Sequence, residues 1–362
     1  MSSSVQSVEF TPFGAAAVDP PRSIAIFQAL NLGDLLCTTP ALRAIRKRFP
    51  GAEVTLIGRP WAREMGERLP AVDRFMPFPG FPGIAESPAG GRQTVSVWPP
   101  FDLAIQMHGS GSASNGFVAS LGATRSLGYG HAGDPRLTTA RNWVENEPEP
   151  VRWLRLVDAL GAAADGLRLD LVVTNDERES AAMLLGAEPG HPVIGFHAGA
   201  SDAARRWPPD SFAALGDALA AELDAHIVLP GAENEKPLTN QVRTAMQATA
   251  TDLTGQTTLG QFAAVISALD LLVTNDTGAS HVAAAMQTPS IVLFGPSRPE
   301  RWAPLDLTRH HIIDAGANCA TDAERAAALQ ALPPAFVAAR CRAVLREVQV
   351  IRERELLRGP RA

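Results

Sequence analysis

The feature that most constrains this chain is an alternation of short apolar segments with segments of helical periodicity. The apolar segments are nearly free of polar side chains, which is typical of parallel strands buried on both faces. They are Ile24–Leu30, Val54–Ile57, Leu103–Met107, Val193–His197, His226–Leu229, Leu271–Thr274 and Ile291–Phe294. Helical segments follow several of them, among them Leu35–Phe49, Asp210–Leu223 and Ser280–Met286. This βαβ pattern predicts an α/β fold with doubly wound, Rossmann-like domains.

Length and composition narrow the class of protein. The 362 residues suggest two domains, since a domain usually holds about 100–200 residues. Hydrophobic residues make up 46% of the chain, enough for two sizeable cores, and the net charge of −6 argues against a nucleic-acid partner. Cys37, Cys319 and Cys341 form no C-x-x-C pair, which argues against a zinc site and a disulfide framework and fits a reducing cytoplasm.

Changes in composition divide the chain into four predicted parts. These are a loose N-terminal arm (1–21), an N-terminal Rossmann-like domain (22–170), a C-terminal Rossmann-like domain (171–332) and a C-terminal helix with tail (333–362). The arm is rich in Ser, Ala and Pro and lacks the pattern of a secretory signal. Gly80–Pro100 is rich in Pro and Gly and predicts a long loop. No apolar run reaches the roughly 18 residues of a membrane span.

The first strand runs into a tight turn, Asn31–Asp34, and then directly into a helix. Open α/β sheets bind ligands beyond the carboxyl ends of their strands, so this turn is a candidate site. Asp34 could cap the helix, because Asp is a favoured N-cap residue. It could also be a general base that accepts the proton of an attacking hydroxyl, and the two roles are compatible.

The helix after this turn carries a row of basic side chains. Arg43, Arg46 and Lys47 share one face at helical spacing, opposite apolar residues. They could form a solvated surface, or they could bind an anionic acceptor or an anionic membrane leaflet.

A second candidate site follows the strand Leu271–Thr274. The chain continues as Asn275–Ala285, and the apolar part of this segment predicts a helix whose first turn contains the small residues Thr277, Gly278 and Ala279. Small residues let a diphosphate approach the free N–H groups at a helix N-terminus. An ordinary helix capped by Asp276 or Thr277 is the alternative, and His281 could be a buried packing residue.

Two further segments follow strands of the second domain. Arg205 and Arg206 come after Val193–His197, and guanidinium groups suit a diphosphate because they bind phosphate bidentately. Glu233 and Glu235 come after His226–Leu229, where a carboxylate could accept hydrogen bonds from ribose hydroxyls. A surface basic pair and helix-capping acids are the structural alternatives.

The sequence contains no Asp-x-Asp pair, the spacing that often holds a divalent ion on a sugar-nucleotide diphosphate. We therefore expect no metal and no cofactor, with backbone dipoles and arginines stabilising the leaving diphosphate.

These segments, in this order, resemble the lipopolysaccharide heptosyltransferases of glycosyltransferase family nine. The matching stretches are Gly33–Arg43, Phe101–Ile105, His197–Ala200, Arg206–Pro208, Thr274–His281 and Leu293–Pro296. The resemblance implies the GT-B architecture, in which two Rossmann-like domains face a cleft. It also implies that residues 22–170 form the acceptor domain and residues 171–332 the nucleotide-sugar domain. It also implies an inverting reaction without a covalent intermediate.

The resemblance also implies roles for individual residues. The base falls on Asp34, the phosphate-binding cation on Arg205 with Arg206 adjacent, and the ribose-binding Glu on Glu235 or Glu233. The turn that holds the donor diphosphate and sugar falls on Asp276, Thr277 and Gly278.

The substrates follow from the resemblance alone. The donor would be ADP-heptose and the acceptor an anionic glycolipid or saccharide of the lipopolysaccharide core. The enzyme would be cytoplasmic, with peripheral contact to the inner face of the inner membrane. A GT-B nucleotide-sugar epimerase or hydrolase and a non-catalytic nucleotide-binding protein are the alternatives. The segment Ala317–Ala331 departs from the family pattern, and the cysteine cluster of its iron-binding members is missing.

Overall fold

The computed structural model describes residues 19–84, 98–186 and 190–358. Contacts divide the chain into two compact units. The first unit contains the chain up to Leu30, Thr38–Glu145 and Pro150–Leu167, and the second contains Asn31–Cys37, Asn146–Glu149 and Arg168–Ala362. A single boundary near residue 170 therefore does not describe the two short segments at Asn31–Cys37 and Asn146–Glu149, whose side chains contact residues of the second unit.

A six-stranded parallel sheet forms the centre of the first unit. Its strands are β1 (Ser23–Phe27), β2 (Glu53–Gly58), β3 (Arg74–Pro77), β4 (Leu103–Gln106), β5 (Arg125–Tyr129) and β6 (Thr139–Arg141). Its helices are α1 (Leu32–Arg48), whose first turn belongs to the second unit, α2 (Arg63–Gly66), α3 (Ser114–Ser120) and α4 (Glu149–Val157). The strand order is β3-β2-β1-β4-β5-β6, so the order reverses between β1 and β4.

The second unit contains another six-stranded parallel sheet. Its strands are β7 (Val193–His197), β8 (His226–Leu229), β9 (Ala250–Asp252), β10 (Leu271–Asn275), β11 (Ser290–Phe294) and β12 (His310–Asp314). Its helices are α5 (Asn175–Leu185), α6 (Pro209–Leu223), α7 (Lys236–Ala245), α8 (Leu259–Ala268), α9 (Gly278–Met286), α10 (Pro299–Trp302), α11 (Asp322–Gln330) and α12 (Pro334–Arg358). The order β12-β11-β10-β7-β8-β9 repeats that of the first sheet, with the reversal between β7 and β10.

Each sheet has its own hydrophobic core. In the first unit, the Phe27 ring of β1 packs against Phe117 of α3 at a centroid distance of 4.3 Å. In the second unit, Trp207 and Phe212 are buried at the start of α6. Val337 and Cys341 of α12 are buried in the same core, so the C-terminal helix packs within the second unit.

The predicted strand bounds agree most closely with the structure for strands inside the two sheets. Strands β7 and β8 have the predicted bounds, whereas β1 ends at Phe27 and the predicted extension to Leu30 is wrong. Beyond Phe27, the Leu30 N–H donates to the Gln28 side chain at 2.8 Å instead of to a neighbouring strand. The pattern did not identify β3, β5, β6, β9 and β12, which include the edge strands and carry polar residues or are very short.

Three sequence predictions lie wholly or mostly outside the described residues. They are the N-terminal arm, most of the Gly80–Pro100 loop and the tail beyond Arg358. Over the described part of the chain, no helix combines the length and apolar composition that crossing a membrane would require.

One side chain joins the two central strands of the second sheet at their carboxyl ends. Asn275, the last residue of β10, accepts a hydrogen bond from the Trp207 N–H at 2.9 Å and donates one to the Ala198 carbonyl at 2.8 Å. Asn275 is fully buried, so each of these groups would lack a partner without it.

We therefore expect Asn275→Ala to lower the free energy of unfolding by about 2–4 kcal/mol, since it leaves buried backbone groups unpaired. Chemical denaturation followed by tryptophan fluorescence measures this change. Asn240→Ala is the matched control, because Asn240 is exposed on α7, and it should change stability little. Equal effects of the two substitutions would contradict the role of Asn275.

Candidate functional site

The carboxyl ends of β7 and β10 lie side by side at the point where the strand order of the second sheet reverses. Ligands of doubly wound folds bind at such a reversal. The segment after β7 leads to Arg205 and Arg206, and the segment after β10 leads to Asp276 and Thr277. The fold thus brings the two predicted donor-binding segments to one edge of the sheet.

Helix α9 begins with small residues and without a side-chain cap. Thr277 occupies the N-cap position with extended backbone dihedral angles, but its side chain makes no capping hydrogen bond. Thr277 and Gly278 are half-buried, and Ala279 is buried. The alternative of a helix capped by the Thr277 hydroxyl is therefore wrong. Anion binding by the first-turn N–H groups of α9 stays a prediction.

Asp276 and Arg205 lie together beside this helix start. The Asp276 carboxylate is almost completely buried, and its Oδ2 atom has no hydrogen-bond partner among the described residues. The Arg205 Nη1 atom lies 3.5 Å from that oxygen, and Nη2 donates to the Ser201 hydroxyl at 2.6 Å. Arg205 is half-buried, so its guanidinium is oriented by the protein and still reaches solvent. Arg206 donates from Nε to the Ala200 carbonyl at 2.8 Å.

The two candidate ribose-binding acids have different surroundings. The Glu235 Oε2 atom lies 3.3 Å from His197 Nε2 and accepts a hydrogen bond from the Ala232 N–H at 2.8 Å. Burial alone would raise the pKa of Glu235, but His197, the Ala232 N–H and Arg206 together hold that pKa at about 2. Glu233 is exposed and pairs with Lys236 at 2.8 Å.

Gly199 explains why the Glu235 carboxylate can lie against the end of β7. A Cβ atom at position 199 would be 1.6 Å from Glu235 Oε1, so any larger residue there would displace the Glu235 carboxylate. This close approach places Glu235, rather than Glu233, beside the carboxyl end of the central strand.

Asp34 is the third residue of α1 and belongs to the Asn31–Cys37 segment of the second unit. It is therefore not the N-cap itself: its Oδ2 atom accepts a hydrogen bond from the Asn31 N–H at 3.1 Å, as an acidic residue in a first helical turn often does. Burial and the charge of Glu149 raise the pKa of Asp34 to about 6, although the Asn31 N–H and Arg301 oppose the rise.

Glu149 and Arg301 form an ion pair that the sequence analysis missed. The Arg301 Nε atom donates to Glu149 Oε1 at 2.6 Å, and the Glu149 side chain is nearly completely buried. The guanidinium also lies over the Trp302 ring, 4.7 Å from its centroid. Glu149 is the first residue of α4, and nothing in the sequence pairs it with a residue so far along the chain.

His281 occupies a packed position, as the structural alternative predicted. Its Nδ1 atom lies 3.5 Å from the Cys37 sulfur, and a Cβ atom at Gly33 would lie 2.6 Å from its ring. Burial lowers the pKa of His281 and raises that of the Cys37 thiol, so both groups are neutral at pH 7. A donor-binding role for His281 stays a prediction.

The basic row of α1 is engaged in the first unit. Arg46 donates to the carbonyls of Ala52 and Ala71 and pairs with Asp73, all of which precede strands β2 and β3. Arg43 donates to the Asp165 carbonyl, and Lys47 pairs with the Asp165 carboxylate. Arg46 therefore lies at the amino ends of the strands, away from the edge where such sheets bind ligands. Acceptor binding by Arg43, Arg46 and Lys47 stays untested.

Within the described ranges, no three His, Cys, Asp or Glu side chains come together as metal ligands would. The candidate site of the second unit presents arginines and helix N–H groups, which suit an anion, and carboxylates, which suit hydroxyl groups.

Comparison with known proteins agrees with this chemistry. Residues 99–332 match the model of glycosyltransferase family 9 (heptosyltransferase). The chain is 29% identical to lipopolysaccharide heptosyltransferase 2 of Salmonella typhimurium over 289 residues, which cover 76% of this chain and 83% of that protein.

Two solved structures show the same fold. The glycosyl transferase family 9 protein of Veillonella parvula superposes with a TM-score of 0.77 at 19% identity, covering 92% of this chain and all of that one. The ADP-heptose lipopolysaccharide heptosyltransferase II of E. coli gives a TM-score of 0.71 at 22% identity, covering 91% and 99% of the two chains. The predicted resemblance and the predicted GT-B fold class, with its two Rossmann-like units, are thus confirmed, and the chain belongs to glycosyltransferase family 9, the heptosyltransferases.

Proposed function

We propose that this protein transfers a heptose from ADP-heptose to a hydroxyl of a lipopolysaccharide core acceptor, with inversion and without a metal ion. The observation that carries the proposal is Asp34, a carboxylate whose pKa is raised to about 6 in the unit that also holds Arg205 and the start of α9. Family membership supports the transfer of a heptose, and the names of the similar proteins support ADP-heptose and the core acceptor.

The donor diphosphate would bind at the start of α9. The helix lacks a side-chain cap there, and its first residues, Thr277, Gly278 and Ala279, carry small side chains that suit the close approach of a diphosphate to backbone N–H groups. Arg205 would place its guanidinium on the phosphates, and Arg206 would add a second positive charge. Asp276 holds Arg205 in place, and Glu235 would accept hydrogen bonds from the ribose hydroxyls. These groups would replace the divalent ion of metal-dependent transferases.

The reaction would be a single in-line displacement. Asp34 accepts the proton of the acceptor hydroxyl as its oxygen forms a bond to the anomeric carbon. The bond between that carbon and the phosphate oxygen breaks, and its electron pair leaves with ADP. The configuration at the anomeric carbon inverts because attack and departure occur on opposite faces. We propose that the reaction takes place on the cytoplasmic side of the inner membrane. A glycolipid acceptor would lie in that membrane, so the enzyme would contact its inner face.

A direct assay separates this proposal from its alternatives. The protein is incubated with ADP-heptose, with and without a deacylated core acceptor, and ADP release and the anomeric configuration of the product are measured. Acceptor-dependent ADP release with an inverted product supports the proposal. Acceptor-independent release would indicate a hydrolase, and nucleotide binding without turnover would indicate a non-catalytic protein.

Asp34→Asn should leave ADP affinity unchanged and lower kcat by about 10²–10⁴-fold, because the amide cannot accept the proton. Initial rates and isothermal titration with ADP measure the two quantities. Asp158→Asn provides a control that removes a carboxylate elsewhere in the chain. An unchanged kcat in Asp34→Asn would remove Asp34 from the role of base.

Arg205→Ala should weaken ADP binding by about tenfold to a hundredfold, because charge-assisted hydrogen bonds to the diphosphate are lost. The double substitution with Arg206→Ala should weaken binding further. Arg243→Ala, which removes an exposed arginine of α7, is the matched control. Unaltered ADP affinity in the double variant would exclude both arginines from the diphosphate site.

The pH profile tests the surroundings of Asp34. Only the ionised carboxylate accepts a proton, so kcat should rise with pH through about 6 and then level off. The charge of Glu149 raises this pKa, whereas Arg301 and the N–H of Asn31 lower it. Glu149→Gln should therefore move the rising limb to lower pH. Glu300→Gln is the control, because Glu300 is an exposed carboxylate on α10, and it should leave the rising limb of the kcat profile in place. An unmoved limb in Glu149→Gln would contradict the effect of Glu149 on Asp34.

A further inference from the structure

The ends of three neighbouring strands in the first sheet meet at one residue. Ala29 lies just beyond β1, between β2 and β4 in the strand order. Its carbonyl accepts a hydrogen bond from Arg59 Nε at 2.7 Å, and its N–H donates to His108 Nδ1 at 3.1 Å. Arg59 directly follows β2, and His108 comes two residues after β4. Both side chains are therefore fixed at the point where the strand order reverses, all within the first unit.

The hydrogen bond to Ala29 fixes the tautomer of His108. A backbone N–H can only donate, so Nδ1 of the imidazole must be unprotonated and its remaining proton lies on Nε2. The ring stacks on Phe27 at a centroid distance of 4.9 Å, which fixes its orientation. Burial and the nearby charge of Arg59 lower the pKa of His108 to about 4, so the ring stays neutral at pH 7.

These fixed groups leave several donors unused. Within the described residues, the Nη atoms of Arg59 and Nε2 of His108 have no hydrogen-bond partner. None of these atoms is buried, so a ligand can reach them. The neighbouring Gln28 has a buried Nε2 atom without a partner. Gly109 has open space where a Cβ atom would lie, so there is room next to His108. The edge thus offers an excess of donors, one of them permanently cationic.

We propose that Arg59 and His108 form an anion subsite that holds the acidic group, a carboxylate or a phosphate, of the acceptor saccharide. The inference rests on the proposed transfer function, because it states what the first unit holds during that reaction. Arg59 supplies the charge and a planar pair of donors, and His108 adds one neutral N–H donor. The shared contact with Ala29 sets the positions of both groups before the ligand arrives.

Binding of simple probes tests the subsite without any transfer reaction. Ligand-observed NMR with the full chain would compare glucuronate, glucose 6-phosphate and glucose. Binding of one or both acidic probes, lost in the Arg59→Gln, His108→Phe double variant, supports the subsite and tells which acidic group it takes. Binding of neither acidic probe, or binding that survives in the double variant, overturns it.

Transfer kinetics provide a second readout. Arg59→Gln should raise the KM for an acidic acceptor by about tenfold to a hundredfold, because one charge-assisted interaction is lost. The KM for ADP-heptose and the kcat at saturating acceptor should stay unchanged. The acceptor KM of Arg59→Lys should lie between that of the unsubstituted protein and that of Arg59→Gln. A purely structural role of Arg59 would lower kcat and the unfolding midpoint instead, and would overturn the subsite.

Arg74→Gln is the matched control, since Arg74 is an exposed arginine at the amino end of β3. It removes the same charge from the opposite edge of the same sheet, and the acceptor KM should not change. An equal rise in KM for both variants would show a general charge effect and would overturn the subsite. A protein that binds acidic probes through Arg59 but transfers no sugar would refute the proposed function and leave the anion subsite standing.

Discussion

The candidate donor site depends on hydrogen bonds between the Asn275 side chain and the segment after β7. Parallel strands bring their carboxyl ends to one edge, but the segments beyond them are free to diverge. By bonding to Trp207 and Ala198, Asn275 ties the segment that carries Arg205 to the segment that carries Asp276. The helix N-terminus and the guanidinium can then act on the same anion, which isolated surface charges could not do as well.

Two carboxylates of the second unit have charges that the protein compensates only in part. The Asp276 carboxylate has one oxygen without a hydrogen bond, and Asp34 has a raised pKa because burial is only partly offset. Such arrangements are unfavourable for stability, and they cluster at functional sites because catalysis and binding require shifted pKa values and polar groups that are free to meet a ligand. By contrast, Arg325 is fully engaged with the carbonyls of Gly295 and Gly316 and with Asp314, as expected of a structural cation.

Particular residues show how far sequence reasoning reached into the site. Asp34, Arg205 and Asp276 are candidates because each follows a buried strand, and the carboxyl-end rule applies to any parallel sheet. Sequence spacing does not distinguish Glu233 from Glu235, because the position of Glu235 depends on its packing against Gly199, which only the fold creates. His108 satisfied the same rule but was passed over, because a single His carries no local pattern.

The sequence by itself determined the two α/β units, the central strands and the glycosyltransferase family, because these follow from local periodicity and from contiguous motifs. Only the tertiary structure decided which distant groups act on each other: Glu149 on Asp34, Arg205 on Asp276, and Arg59 and His108 on Ala29. Pairings of this kind depend on the strand order and on the path of each loop. Neither leaves a periodic trace in the chain, so the physical chemistry of the site is set by contacts that sequence spacing does not encode.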